Sequence, residues 1–290
     1  MRFQVVASAG LAAFAGIALA APVAPGPGPG PEPAPAVSPQ LDDPCADDSG
    51  QPGCVRALDP FAAALAAQRA GTADRALRIS YYGDSVVAND AIPDALRRKL
   101  GALVGDGGPG FVFAAPPHPY CQHRAATRFA SGEWRIHGIA GPVPPDHLLG
   151  LGGSAETDGG GTIRFAAAAP VAFADVHYLG QPAGGTFAVI ADGKLLEEVA
   201  TLRPHKQSDF ARVELPAGTR RVELRATGRV RLFGATLEAA SGAVVDNLGV
   251  VNANVHGTTA NNLMEHWRNQ LARRDADLVI VMLGIGHARR

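Results

Sequence analysis

The spacing of apolar and polar residues divides the chain into three stretches. A short apolar run at 77–82 is followed by Leu96, Leu100 and Leu103 at i, i+4 and i+7, with basic residues between them. This spacing predicts a strand and then an amphipathic helix. Between about residues 121 and 245 the helical spacing is lost, and it returns after residue 245.

The middle stretch consists of short runs of period two separated by Gly and Pro turns, and it predicts an all-β sandwich. Its clearest runs, 211–215 and 221–225, flank a Pro-Ala-Gly-Thr turn and predict a β-hairpin with one buried face. Trp134, His177 and Tyr178 can either stack on a sugar or serve as core and edge residues of this unit. The sequence leaves both roles open.

The last stretch predicts a strand at 244–251, a helix carrying Leu263, Trp267 and Leu271, and a second strand at 277–284. The second run is almost wholly apolar, as expected of a parallel strand buried on both faces. The order strand, helix, insert, strand, helix, strand predicts the start of a doubly wound α/β sheet. We therefore assign 59–120 and 246–290 to one discontinuous α/β domain and 121–245 to an inserted β-sandwich.

The N-terminus predicts export to the periplasm or the cell exterior. Residues 1–20 read as a signal peptide, with Arg2 before an apolar run and Ala18-Leu19-Ala20 as a cleavage site; a membrane anchor is the alternative. With cleavage, no stable membrane span is expected. Residues 21–58 form a Pro-rich linker and a small loop in which Cys45 and Cys54 can pair. Cys121 is then left as a buried free thiol or, with His123, a catalytic pair.

Charge narrows the range of partners. The chain has 290 residues, of which 47% are hydrophobic and 18% charged, and its net charge is -1. A chain without a basic excess is not expected to bind nucleic acid.

The segment Gly83-Asp84-Ser85 carries the candidate chemistry. It ends the first predicted strand and precedes the first predicted helix, so it can present the Ser85 hydroxyl as a nucleophile beside helix N–H groups. Ordinary turn chemistry is the alternative for the same three residues. The later glycines at 105–110 are not a phosphate loop, because they follow a helix and no Gly-Lys-Ser/Thr is present.

The run 82–93, together with Gly-Asp-Gly-Gly-Pro-Gly-Phe at 105–111, resembles block I of the SGNH (GDSL-like) hydrolases. It is most similar to the subgroup that includes bacterial peptidoglycan O-acetylesterases. The resemblance implies a flavodoxin-like parallel sheet, here incomplete, with an inserted jelly-roll-like sandwich. It also implies a serine esterase that acts on O-acetyl groups of cell-wall or other polysaccharide, or on a small acyl ester. The same resemblance implies Ser85 as nucleophile and oxyanion N–H, Asp84 as part of block I, and no metal or cofactor. A lipase or thioesterase is a weaker alternative.

Gly257, in a turn after the predicted strand at 244–251, resembles the block II glycine whose N–H joins the oxyanion hole. A plain helix-start turn, with a threonine as N-cap, is the alternative for this glycine.

Two family elements have no counterpart. Gly286 stands where the block III asparagine is expected, and no Asp-x-x-His occurs before Arg290. We therefore expect a truncated, catalytically impaired family member or a glycan-binding remnant as the alternative to an active esterase. His256 and His287 are candidate substitute bases, with His118 and His123 as further loop histidines.

Overall fold

The computed structural model describes residues 43, 45 and 53–284. The predicted signal peptide, the Pro-rich stretch at 22–39, and His287 lie outside the described residues. Cys45 and Cys54 form a disulfide with a Cα–Cα distance of 5.7 Å, and Cys121 is a buried free thiol. Among the described helices, none combines the length and apolar character that a membrane crossing requires.

The described residues form helices and strands in the order expected of an α/β chain with a long β-rich middle. The helices are α1 (Asp59–Ala70), α2 (Ser85–Ala88), α3 (Ala91–Val104), α4 (Val255–Ala260) and α5 (Met264–Arg274). The strands are β1 (Leu77–Gly83), β2 (Gly110–Phe113), β3 (Ala126–Gly132), β4 (Arg135–Gly138), β5 (Gly153–Thr157), β6 (Gly161–Ala167), β7 (Phe173–Gly180), β8 (Thr186–Ala191), β9 (Lys194–Ala200), β10 (Gln207–Glu214), β11 (Arg221–Thr227), β12 (Val230–Glu238), β13 (Ala243–Gly249) and β14 (Leu278–Met282).

A parallel sheet of order β13-β1-β14 holds the two ends of the described chain together. Its register places Gly83 opposite Gly249 on one side and Met282 on the other. A first strand in the centre, with the later strands on either side, is the order found in doubly wound sheets. All residues of β1 and β13 are buried. The predicted α/β class is confirmed by this sheet.

Strand β14 corrects one expectation, because it is not buried on both faces. Ile280 packs into a core cluster with α1 and α3, whereas Val279 and Val281 are 49% and 62% exposed. Within residues 53–284, β14 pairs only with β1. The continuous apolar run therefore reflects a strand covered on one face by the described residues.

Two antiparallel sheets form the β-rich part of the molecule. A six-stranded sheet has the order β10-β7-β12-β5-β4 with β2 added to β12, and a five-stranded sheet has the order β3-β6-β11-β8-β9. Inward side chains of both sheets share one hydrophobic cluster, for example Phe165 and Leu224 from one and Val176 and Leu232 from the other. Strand β2 joins this part although it precedes residue 121, the predicted start of the insert.

The hairpin predicted for 211–225 is wrong. Strand β10 pairs with β7, whereas β11 pairs with β6 and β8, so the two strands belong to different sheets. Val213 and Leu224 are nevertheless buried in the same cluster. Their connection crosses from one sheet to the other. Period two identifies a strand with one buried face but does not say which sheet the strand joins.

A buried ionic cluster joins the parallel sheet to its neighbours. Asp246 of β13 accepts hydrogen bonds from the Ser80 hydroxyl at 2.7 Å, the Phe111 N–H at 2.8 Å and the Arg274 guanidinium at 2.6 and 3.0 Å. Arg274 also contacts Glu238 at 2.7 Å, and Arg78 pairs with the same Glu238 at 2.9 Å. Burial alone would raise the pKa of Asp246, but Arg274 and the other donors hold it below its ordinary value.

Candidate active site

Ser85 lies directly after the central strand of the parallel sheet. Strand β1 ends at Gly83, and Asp84 is the N-cap of the short helix α2, because its Oδ1 accepts the Val86 N–H at 3.0 Å. Ser85 is the first residue of α2 and its side chain is exposed, while Asp84 is buried. The capped turn thus fixes the backbone and leaves the serine hydroxyl accessible.

Two glycines allow this turn to lie close against the strands. A Cβ on Gly83 would stand 2.2 Å from Val87 Cγ2, and one on Gly249 would stand 2.4 Å from the Ala88 nitrogen. Neither distance is tolerable for a side chain, so only glycine fits at either strand end. The Val250 N–H donates to the Gly83 carbonyl at 3.0 Å and extends the contact beyond the strands.

A buried ion pair fixes the chain after α2. Asp90 has a φ of 65°, in the left-handed region. Its carboxylate accepts hydrogen bonds from both terminal nitrogens of Arg97, each at 2.9 Å. The Arg97 Nε also donates to the Val245 carbonyl at 2.8 Å, which ties α3 to β13. Charge-assisted bidentate pairs of this kind are the strong and directional ones.

The loop of residues 114–125 lies at the same edge of the sheet as Ser85. The Gln122 N–H donates to the Ala88 carbonyl at 2.9 Å, and the Asn247 Nδ2 donates to the Gln122 carbonyl at 3.0 Å. The Asn247 Oδ1 in turn accepts the Gly249 N–H at 3.0 Å. Sequence reasoning did not single out Asn247, although a buried asparagine inside an apolar strand is a usable signal.

Gly257 is the third residue of helix α4, and its N–H is occupied. The Asn254 Oδ1 accepts that N–H at 2.7 Å as the N-cap of α4. The capping residue is therefore Asn254 rather than the threonine expected from the sequence. An N–H held this way is not free to meet an oxyanion unless the Asn254 side chain rotates away. The signal that sequence reasoning missed is an asparagine three residues before the glycine, the ordinary N-cap spacing.

Among the described residues, no histidine is hydrogen-bonded to Ser85. Across residues 53–284, the Ser85 hydroxyl has no hydrogen bond to any side chain, and His256 is exposed on α4. The ring nitrogens of His123 are buried, and burial, followed by Arg97 and Arg128, holds the pKa of His123 well below its ordinary value. His118 accepts the Tyr120 N–H at 3.3 Å through its Nδ1.

Cys121 does not form a catalytic pair with His123. The thiol is buried, and burial raises its pKa, which favours the unreactive protonated form. Its backbone N–H donates to the His118 carbonyl at 2.9 Å. Of the two alternatives for this residue, the buried free thiol is the one that the structure supports.

A serine–histidine contact does exist elsewhere, between Ser208 and His266. The His266 Nε2 accepts the Gly150 N–H at 2.9 Å, so its Nδ1 carries the proton and donates to the Ser208 hydroxyl at 2.6 Å. A histidine that already donates to the serine cannot remove its proton. The pair instead fastens α5 to β10, and burial lowers the pKa of His266 to about 4.

The residues considered for sugar stacking do not form a platform. His177 and Tyr178 are buried on β7, at 0% and 3% exposure, and the His177 Nδ1 contacts the Gln270 Oε1 at 2.7 Å. Trp134 is partly buried against the β core, and its Nε1 donates to the Ser131 carbonyl at 3.0 Å. The role as core and edge residues is thus the correct one for His177 and Tyr178.

With this geometry in hand, comparison with solved structures finds a peptidoglycan O-acetylesterase with a TM-score of 0.65 and 24% sequence identity. The match covers 79% of this chain and 61% of that chain, so the chain spans less than two thirds of its neighbour's length. At this identity the likeness shows a shared fold. The chain therefore shares its fold with that protein over 79% of its length.

Two further matches are carbohydrate-binding modules, at low TM-scores. Tandem CBM51 modules of a family 98 glycoside hydrolase from Streptococcus pneumoniae match at TM-score 0.26 and 18% identity, over 30% of this chain and 32% of that one. The CBM6 of a laminarinase from Zobellia galactanivorans matches at TM-score 0.28 and 11% identity, over 39% and 98%. No protein-family model and no curated protein matches the chain.

Proposed function

We propose that the chain is an exported serine esterase of the SGNH (GDSL-like) family that removes O-acyl groups, above all O-acetyl groups, from cell-wall or other polysaccharide. The observation that carries this proposal is the exposed Ser85 at the carboxyl end of the central parallel strand, on a capped turn. That edge is where open α/β sheets bind their ligands. The fold shared with a peptidoglycan O-acetylesterase supports the substrate class. The proposal includes an incomplete doubly wound sheet and a jelly-roll-like sandwich inserted into it.

The chemistry proposed for these residues is acyl transfer. The Ser85 Oγ attacks the ester carbonyl carbon and its proton passes to a base, while the Ser85 N–H donates to the carbonyl oxygen as it becomes negative. Collapse of this intermediate releases the sugar hydroxyl, which takes the proton, and leaves an acetyl ester on Ser85. Water then attacks that ester and acetate leaves. Gly257 is the second oxyanion donor once its N–H separates from Asn254.

The described site lacks a general base that is hydrogen-bonded to Ser85. His256 and His287 are its candidates, the first exposed on α4 and the second outside the described residues. Without a base held on the nucleophile, serine enzymes lose a factor on the order of 10⁴–10⁶ in rate. Because no described histidine is hydrogen-bonded to Ser85, an impaired esterase or a glycan-binding remnant is the second candidate function. We expect slow turnover at most.

Imidazole rescue separates the two candidates. O-acetylated peptidoglycan is incubated with the full chain with and without added imidazole, and acetate is measured. An unactivated ester keeps the background reaction of imidazole small. If Ser85 is a nucleophile that lacks only its base, imidazole raises acetate release, and Ser85→Ala removes that increase. Ser131→Ala, a change at an exposed serine of β3, is the matched control and keeps it.

Each result has a defined meaning. If imidazole raises acetate release equally in the parent chain and in the Ser85→Ala variant, Ser85 is not the nucleophile, and the glycan-binding remnant is the remaining candidate function. Fast release without imidazole that Ser85→Ala abolishes contradicts the impaired candidate. The His256→Ala variant then reports whether His256 or His287 is the base.

A further inference from the structure

The outer face of the five-stranded sheet carries a groove of about 520 Å³, within the volume range of small-ligand sites. Strand alternation creates it, because Phe165 and Val222 point into the core and their neighbours point outward. Phe129, Arg164 and Glu223 stand opposite one another on three adjacent strands and form one outward row across the groove. Beside them lies Ala166, whose small side chain leaves the depression open.

The charges in the groove are unevenly paired. Glu223 accepts both Arg164, at 2.5 Å, and Arg225, at 2.7 Å, and Arg164 is the main reason that the pKa of this carboxyl is lowered. Arg221 also lines the groove, and within residues 53–284 its guanidinium forms no salt bridge or hydrogen bond. Four arginines line the groove, but the Arg128 guanidinium donates to the Phe113 and Cys121 carbonyls, which leaves three arginines for two carboxylates, those of Glu223 and Asp192. The groove is positive on a chain whose net charge is -1.

An exposed aromatic ring stands at one side of the same groove. Phe129 is 57% exposed, and the Arg164 guanidinium lies 5.8 Å from the centre of its ring. A flat apolar ring beside a row of guanidinium donors offers two contacts at once, a stacking surface and bidentate partners for a carboxylate. Neither contact contributes to the core, which lies on the other face of the sheet.

We propose that this groove binds an acidic oligosaccharide, with a sugar ring on Phe129 and a carboxylate on Arg221. A nucleic acid requires a larger basic excess than this groove supplies. An extended peptide binds by adding a strand to a sheet edge, whereas the groove crosses the face of the sheet. The site is separate from Ser85 and does not depend on the esterase chemistry.

Isothermal titration with paired ligands tests the proposal. The full chain carrying Ser85→Ala, which prevents any turnover, is titrated with oligogalacturonate, hyaluronan oligosaccharide and muramic-acid-containing glycan strands. Each ligand is compared with its own carboxyl-reduced form, which keeps the backbone and removes the charge. At least one acidic ligand is expected to bind about tenfold more tightly than its reduced form, the worth of one charge-assisted contact.

Variants locate that contact. Arg221→Gln should lower the affinity for the acidic ligand by about tenfold and remove the difference in affinity between its acidic and reduced forms. Phe129→Ala should lower the affinity for both forms alike. Arg212→Gln, on the other sheet, and Leu202→Ala, exposed outside the groove, are controls that should bind as the parent does. Thermal melting confirms that each variant folds. The proposal is overturned if no acidic ligand exceeds its reduced form, or if Arg221→Gln leaves the preference intact. Tighter binding of a single-stranded DNA that is lost in Arg221→Gln would also overturn it, in favour of a nucleic-acid site.

Discussion

The two ends of strand β1 differ in how their polar groups are satisfied. Toward its start, Arg78 and Ser80 belong to the buried cluster in which Glu238, Arg274 and Asp246 all have charged or hydroxyl partners. Past its end, Ser85 is exposed, and across residues 53–284 its hydroxyl has no side-chain partner. Strand β1 ends three residues after Ser80, so about 10 Å of extended strand lies between Ser80 and the turn that carries Ser85, at roughly 3.3 Å per residue.

The difference shows how stability and chemistry are divided along one strand. Buried charges are tolerable only when each is paired, so the cluster end admits little change. A nucleophile must keep an accessible hydroxyl, so the serine end relies on backbone contacts, namely the Asp84 cap and the close approach of Gly83 and Gly249. The two ends should therefore respond differently to mutation.

Asp246→Ala should give the largest effect on folding. It leaves Arg274 buried at 2% exposure without its main partner and removes the acceptor of the Ser80 hydroxyl and the Phe111 N–H. Breaking a buried pair by deleting one member costs about 3–5 kcal/mol. Urea denaturation measures the change in the free energy of unfolding.

Asp94→Ala is the matched control for that change. Asp94 pairs with the exposed Arg98 at i and i+4 in α3, an arrangement worth about 0.3–0.5 kcal/mol. Equal losses in the two variants would contradict the view that the buried cluster holds the sheets together.

Sequence alone located the strands around Ser85 but not the groups that hold them. Leu77–Gly83 and Leu278–Met282 were predictable from apolar runs, and α5 from the spacing of Leu263, Trp267 and Leu271. The pairing of Asp246 with Arg274 was not, since a charged residue in either segment has no visible partner in the sequence.

Pairing between strands was the other part that sequence could not supply. Alternation predicts that β10 and β11 are half-buried strands. Because both sheets contribute side chains to a single core, the pattern does not show which sheet each strand joins. Similarly, a candidate oxyanion donor at Gly257 could be named from its position, but whether its N–H is free depends on the rotamer of Asn254. Local pattern predicts elements, whereas tertiary contacts decide what each polar atom meets.

The stability of the protein should fall in acid, because His266 is held neutral in the folded state. Its pKa is lowered to about 4 in the folded protein, against an ordinary value near 6.5 in the unfolded chain. The unfolded state therefore binds more protons between these values, and stability falls as the pH is lowered from about 6.5 toward 4, by about 3 kcal/mol for this group. Above pH 6.5 the contribution is constant. Urea midpoints across this range measure it.

His266→Gln should reduce the slope of stability against pH by about one proton near pH 5. The slope does not vanish, because burial also lowers the pKa of His177 and of His123. Ser208→Ala is the control, since it removes the hydroxyl partner of His266 and leaves the imidazole to titrate. An unchanged slope in His266→Gln would show that this histidine is not held neutral.

Substitution of Gly83 or Gly249 by alanine should lower the free energy of unfolding by less than Asp246→Ala does. The two substitutions should differ in which atoms the added Cβ meets. Gly83→Ala meets the Val87 side chain, whereas Gly249→Ala meets backbone atoms of Val87 and Ala88. Overpacking of this kind costs about 1–3 kcal/mol. Val87→Gly removes both Val87 atoms that a Cβ at position 83 would meet, Cγ2 and Cβ, so adding it should relieve the first substitution and not the second, and a double-mutant cycle should show coupling for Gly83 alone. Coupling of equal size at both glycines would contradict the assignment of the clash at Gly249 to backbone.

Asn254→Ala should have the smallest effect on stability and the most informative one on chemistry. Loss of an N-cap costs about 1 kcal/mol, which urea denaturation can measure. The same change frees the Gly257 N–H, so in the presence of imidazole the Ser85-dependent release of acetate should hold or rise despite the weaker fold. Asn89→Ala is the control. It removes the hydrogen bond that the Asn89 Oδ1 accepts from the Ala91 N–H at 2.8 Å, at the end of α2 away from Ser85, and should cost a similar free energy of unfolding. A fall in the rate for Asn254→Ala beyond that for Asn89→Ala would mean that Asn254 itself supports the reaction, and that the Gly257 N–H is a structural contact rather than a reserve oxyanion donor.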